Sequence, residues 1–176
     1  WPLAWTRGGH GRQVAMNESE KRHWLFRAHV VDRAGALTSI ASAFSNEGIS
    51  IDTVVGHGVE EQAHVDGSVV LTFFCTEQER DIMVRKIRRL SKVMDLEEHP
   101  YDSRRLRKSA ILMTSRRLTP RDVAGDETFL TCELVDTTPE GWTYFLAGSP
   151  KELQPVLTRL ESEGIVKDIV YSVLGL

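Results

Sequence analysis

The chain has 176 residues, with 22 Lys and Arg against 25 Asp and Glu for a net charge of −3. That length allows one ordinary domain or two small ones, each with a real core, and the near balance of charge excludes a global basic field for nucleic acid or an anionic membrane. No apolar run approaches the roughly 20 residues that cross a bilayer, and the two cysteines, Cys75 and Cys132, lack metal-ligand spacing, so they read as reduced core thiols in a cytoplasmic protein rather than as zinc ligands or a disulfide scaffold.

Residues 1–22 are expected as a flexible extension, with Met16 a candidate start and Gly8, Gly9 and Gly11 following no strand and opening no helix. "HWLFRAHVV" (23–31) has the composition of a strand ended by Asp32. Leu37, Ile40, Ala41 and Phe44 then recur at helical spacing, which predicts a helix over 36–47 stopped by Gly48. "ISIDTVV" resumes the strand pattern, and the polar run holding His57, Glu60, Glu61, His64 and Asp66 reads as a loop whose spacing aims no metal ligands at one point. "GSVVLTFFC" (67–75) is the third strand. Thr76 with Glu79 forms a capping-box signature before a second helix, whose Met83, Ile87 and Leu90 share one face while Arg85, Lys86, Arg88, Arg89 and Lys92 lie mostly on the other. "VMDLEEH" (93–99) completes a βαββαβ order.

Residues 101–108 are polar and basic and read as a linker between a first domain at 23–100 and a second at 109–176. The same order then repeats: strand "SAILMTS", a helix over 120–131 opened by Thr119 and Pro120, strand "CELVD", a turn at "TTPEG", strand "WTYFLA", a helix from Ser149 striped by Leu153, Val156, Leu157 and Leu160, a stop at Gly164 and a final strand. The expected fold is therefore α+β, two ferredoxin-like units with antiparallel sheets and helices on one face. The other face needs cover, and the doubly apolar strands point to a second copy or a partner chain, hence a homo-oligomer.

"VVDRAGALTSIASAFSNEGISIDTV" resembles the amino-terminal signature of ACT domains, small ligand-sensing modules with this element order. The tandem arrangement, with "LVDTTPEGWTYFLAGSPKELQPVL" in the second half, resembles the regulatory (small) subunit family of acetolactate synthase, an ACT domain followed by an ACT-like one. The resemblance implies a non-catalytic subunit without a cofactor that forms a homodimer through its ACT domains. It also implies activation of a thiamine-diphosphate-dependent catalytic subunit and feedback inhibition by a branched-chain amino acid, valine foremost. Its implied ligand residues here are Asp32, Arg33, Ala34, Gly35, Ala36, Leu37, Ser50 and Ile51. Asp32 and Ser50 stand where the family has asparagines, Ser39 and Glu47 where it favours arginines, and the loop after His57 is longer.

The chemistry fits that class of ligand. A zwitterion needs donors for its carboxylate, which a helix N-terminus presents, and acceptors for its ammonium, which Asp32 offers. Gly35 would let it approach the backbone, or would simply supply a positive φ to the turn; Asp32 is equally suited to cap the helix, and Ser50 to begin a strand. A free-standing ACT sensor with another ligand or partner enzyme is the alternative. RNA-recognition modules share the element order, but "GSVVLTFF" lacks their basic-glycine-aromatic opening, and no nucleophile triad, HExxH or phosphate loop marks an enzyme.

Overall fold

The computed structural model describes residues 21–31, 33–57, 67–124 and 130–175. The amino-terminal extension up to residue 20, Asp32, and the loop positions His64 and Asp66 lie outside the described residues.

The first half runs β1 (Arg22–Val30), α1 (Arg33–Asn46), β2 (Ile51–His57), β3 (Gly67–Cys75), α2 (Glu77–Ile87) and β4 (Val93–Pro100). Its sheet is antiparallel in the order β2-β3-β1-β4. Alternation explains which side chains go inward: Trp24, Phe26, Ala28 and Val30 from β1 and Val69, Leu71 and Phe73 from β3 meet Ile40 and Phe44 of α1 and Met83 and Ile87 of α2. Phe73 stands edge-on to both Phe26 and Phe44 at 4.7 Å. Each such ring removed from water is worth about 2 to 3 kcal/mol. The expected capping box is present: Thr76 Oγ1 accepts from the Glu79 amide at 3.2 Å and Glu79 Oε2 from the Thr76 amide at 2.8 Å. Gly48 ends α1 at φ +67°, a conformation that would strain a side chain.

The second half repeats the plan with β5 (Leu106–Thr114), α3 (Pro120–Val123), β6 (Thr131–Thr138), β7 (Gly141–Gly148), α4 (Pro150–Ser162) and β8 (Val166–Gly175), in sheet order β6-β7-β5-β8. The fold is thus two ferredoxin-like α+β units in tandem. Leu153, Val156, Leu157 and Leu160 of α4 bury onto Ala110, Leu112, Tyr144 and Leu146.

Four expectations change. The helix read over 120–131 is one turn, Pro120–Val123: a Thr119–Asp122 capping box opens it, but the backbone is already extended at Ala124. Cys132 is exposed, since β6 is the outer strand and pairs only with β7; Cys75 is buried, which pushes its thiol up to about 12. Strand β5 opens at Leu106, inside the stretch read as linker. Helix α1 begins at Arg33, so Gly35 stands in its first turn with right-handed backbone and not in a positive-φ turn ahead of it.

The cover for the open face of the first sheet comes in part from the chain itself. Leu25 and Val70, on the face away from α1 and α2, pack against Leu106 and Val173 of the second half, with Val55 and Tyr101 at the margin. The amide of Tyr101 donates to the His23 carbonyl at 3.0 Å and returns the connecting segment to β1.

Candidate functional site

The residues singled out from the sequence fall into two groups. Arg33 to Leu37 form the first turns of α1, at the positive end of the helix dipole. Ala36 is buried against the sheet, Leu37 is at the surface and Gly35 is half-buried, its carbonyl accepting from Ser39 Oγ at 2.9 Å. Asp32 lies outside the described residues.

Ser50 and Ile51 form the second group, exposed and half-buried at the start of β2. They do not meet the first group within one chain. Ile51 pairs with Phe73, which pairs with Trp24, whereas α1 begins just after Val30; at ~3.3 Å per strand residue those two ends of β1 are about 20 Å apart. A shallow hollow of ≈ 360 Å³ does lie beside Ser50 and Ile51, edged by Gly48, Asp52, Phe74 and Glu79.

A second cluster was not singled out from sequence. His23 is stacked between Phe74 (centroids 4.0 Å) and Tyr101 (3.6 Å), both at 17°. Burial pulls its pKa from 6.5 down to about 4; the Asp52 carboxylate works against that shift and Lys108 with it. Asp52 Oδ2 is 3.4 Å from His23 Nε2 without the angle of a hydrogen bond, and Asp52 Oδ1 accepts from the Tyr171 hydroxyl at 3.1 Å. Opposite stands Lys108, its side chain on the inward side of β5, its ammonium donating to Gln154 Oε1 and lying 3.9 Å over the Tyr171 ring. These residues wall a cleft of ≈ 430 Å³ between the two sheets. One signal was present in the sequence: Lys108 occupies an inward position in the alternation Leu106, Lys108, Ala110, Leu112.

Elsewhere on the first sheet's open face, Glu97 accepts from His29 Nε2 at 2.8 Å, and this bond holds its carboxyl below the usual range. Among the described residues no group of three or more His, Cys, Asp or Glu could hold a metal ion, and no helix is long and apolar enough to cross a membrane. Phe73 is in the core, so of the two third-strand phenylalanines only Phe74 reaches the open face where an RNA-recognition sheet stacks bases.

No family model and no curated protein matches the chain. Among solved structures, the acetolactate synthase small subunit from Thermotoga maritima superposes with a TM-score of 0.64 at 15% identity, over 88% of this chain and 96% of that one. The fold is ACT-like, twice over. The aspartate kinase of Clostridium acetobutylicum gives a TM-score of 0.46 at 14% identity, over 81% of this chain and 33% of its own. The regulatory subunit of aspartate kinase from Thermus thermophilus gives 0.44 at 14% identity, over 80% and 91%.

Proposed function

We propose that this chain is an ACT-type amino-acid sensor that regulates a partner enzyme, and specifically a regulatory subunit of acetolactate synthase. In this reading it activates the thiamine-diphosphate-dependent catalytic subunit and relays inhibition by a branched-chain amino acid, with valine as first candidate. The observation that carries the reading is the superposition on an acetolactate synthase small subunit over 88% of this chain and 96% of that one. The separation of the candidate residues adds to it. In a side-by-side dimer with α1 antiparallel to its counterpart, the start of one helix faces the Gly48–Ile51 segment of the other, so Gly35, Ala36 and Leu37 of one copy and Ser50 and Ile51 of the next would enclose one ligand. The outer strand β2, with Val54 exposed, pairs only with β3 among the described strands, and its other edge would extend the sheet into a second copy. The ligand carboxylate would take the N–H groups that open α1 and its ammonium Asp32.

The outer face of the second sheet, with Ile111 beside Val170 and both more than half exposed, is the surface this reading assigns to the catalytic partner. Gly35→Asp puts a carboxylate at the helix start. In sedimentation the parent is expected at twice 19.9 kDa, in a thermal-shift panel valine is expected to raise its melting temperature, and the variant should lose the part of that response supplied by the helix start. A parent that sediments as a monomer with and without valine, or a variant that responds as the parent does, refutes the site. Co-purification separates partners: a thiamine-diphosphate enzyme supports the specific reading, and a different enzyme supports the free-standing sensor.

A further inference from the structure

We propose that the cleft between the two sheets is a separate binding site for a free amino acid, with Lys108 receiving its carboxylate and Asp52 its ammonium. The site is complete in one chain and lies apart from the start of α1. At ≈ 430 Å³ the cleft has the size of small-molecule sites, which span ~300 to 1,000 Å³.

Charge decides the ligand class. Lys108 is only 3% exposed, yet its ammonium meets an amide oxygen and an aromatic ring rather than a carboxylate. Asp52 and Glu161 act on it only through space, and a buried ammonium with no carboxylate in contact is an unfavourable arrangement that an incoming anion relieves. Across the cleft Asp52 accepts from the Tyr171 hydroxyl at 3.1 Å and from Thr72 Oγ1 at 3.4 Å and lies beside His23, which is neutral near pH ~7 because burial keeps its pKa at about 4, so no cation touches the carboxylate. The two opposite charges thus face one cavity and attract each other across it without contact, which leaves room for a molecule between them.

A molecule carrying both an ammonium and a carboxylate answers both at once; a simple amine or a simple acid leaves one unanswered. The rim adds no bias, since Lys151 and Asp102 cancel. Two further features suit such a guest. The Tyr101 hydroxyl is buried with no hydrogen-bond partner, an acceptor and donor in waiting. Phe74, 54% exposed on one side of the ring stack, offers an apolar surface for the ligand's side chain. The N-terminal end of α4, at Pro150, opens on the same cleft and favours the carboxylate on Lys108's side.

Calorimetry on the full chain at about pH 7 tests this, with L-valine and L-phenylalanine as probes against their one-charge analogues: isobutylamine and 3-methylbutanoate, phenethylamine and 3-phenylpropanoate. At least one amino acid should bind, with its amine and acid analogues weaker by about tenfold or more. Lys108→Met and Asp52→Asn should each weaken it by about tenfold or more, and Tyr171→Phe by less, while Gly35→Asp leaves cleft binding intact. If Lys108→Met does not fold, as far-UV circular dichroism would reveal, Asp52→Asn and Tyr171→Phe decide the matter, both sites being partly exposed. The proposal falls if neither amino acid binds, if an analogue binds as tightly as its parent amino acid, or if the cleft variants leave affinity unchanged. It also falls if Gly35→Asp alone abolishes all binding, which would place the ligand at the helix start. Binding lost only in the cleft variants upholds the cleft and refutes the helix-start site instead.

Discussion

Replacing His23 by phenylalanine tests how the two halves are held together. The ring is clamped between Phe74 and Tyr101, and its side chain is only 15% exposed. Burial drops its pKa from 6.5 to about 4, so the folded protein keeps it neutral where the unfolded chain already binds a proton. Its contribution is therefore fully present above the unfolded value and is lost as pH falls toward the folded one, with no further loss below. Between about pH 7 and about pH 5 the linkage amounts to about 2 kcal/mol, which at a urea slope of ~1 to 3 kcal/mol/M moves the unfolding midpoint by about 1 M. Glu97, held below its ordinary range by His29, loses its stabilisation only at lower pH and does not enter this window. In His23→Phe the stack survives and the proton is gone, so the midpoint should barely move between the same two pH values. A parent with a pH-independent midpoint there, or a variant that drops as far as the parent, refutes the reasoning.

Neighbouring residues of β3 face opposite ways and should respond accordingly: Phe73→Ala, at the centre of the first core, is expected to lose about 3 to 5 kcal/mol, and Phe74→Ala, half exposed, about 1 kcal/mol, both read from urea midpoints. Thr76→Ala removes one arm of the capping box on α2 and should lower stability by about 1 kcal/mol, with Thr76→Ser restoring most of it. Gly141→Ala would place a Cβ 2.4 Å from the Thr114 carbonyl oxygen, and since Thr114 Oγ1 also bonds the Arg116 and Trp142 carbonyls the strand has little room to yield; a loss of about 2 kcal/mol or more is expected in thermal or urea melts.

What the sequence disclosed and what it hid follow from the range of the forces involved. The stripe Leu153, Val156, Leu157, Leu160 writes one helix face into local spacing, and α4 buries it; the stripe Leu37, Ile40, Ala41, Phe44 marks the helix correctly but its face only in part, since Leu37 and Ala41 are at the surface and the buried face runs through Ala36, Ile40, Ala43 and Phe44. The true start of α1 was hidden because Arg33, Ala34 and Gly35 carry no apolar period and the third of them is a poor helix former. The short α3 was hidden for a different reason: Thr119, Pro120 and Asp122 are sound start signals and the start is where they put it, but start signals do not fix length, and the backbone turns extended at Ala124. The cleft was least legible, because His23, Asp52, Lys108 and Tyr171 come from four strands and meet only when both halves fold.

That dispersal bears on how a signal would pass between the proposed sites. Asp52 is the residue after Ile51 and, with Phe74, borders both the hollow beside Ser50 and the inter-sheet cleft. The second half contributes Lys108 and Tyr171 to the cleft and, among the described residues, has a single helical turn, α3, where the first half has α1. A ligand in the cleft would therefore grip the first half through the strand that leads from Ser50, and the second through β5 and β8. Any change in the angle between the sheets would act on β2 at Asp52, one residue from the candidate contact with a neighbouring copy. Coupling between such sites typically amounts to about 1 to 3 kcal/mol and must be reciprocal. Asp52→Asn should accordingly alter the valine response at the helix start even though Asp52 is not among that site's residues. An unchanged valine midpoint in a thermal-shift titration of Asp52→Asn, with cleft binding abolished in the same protein, would mean that the two cavities share a wall and exchange no free energy.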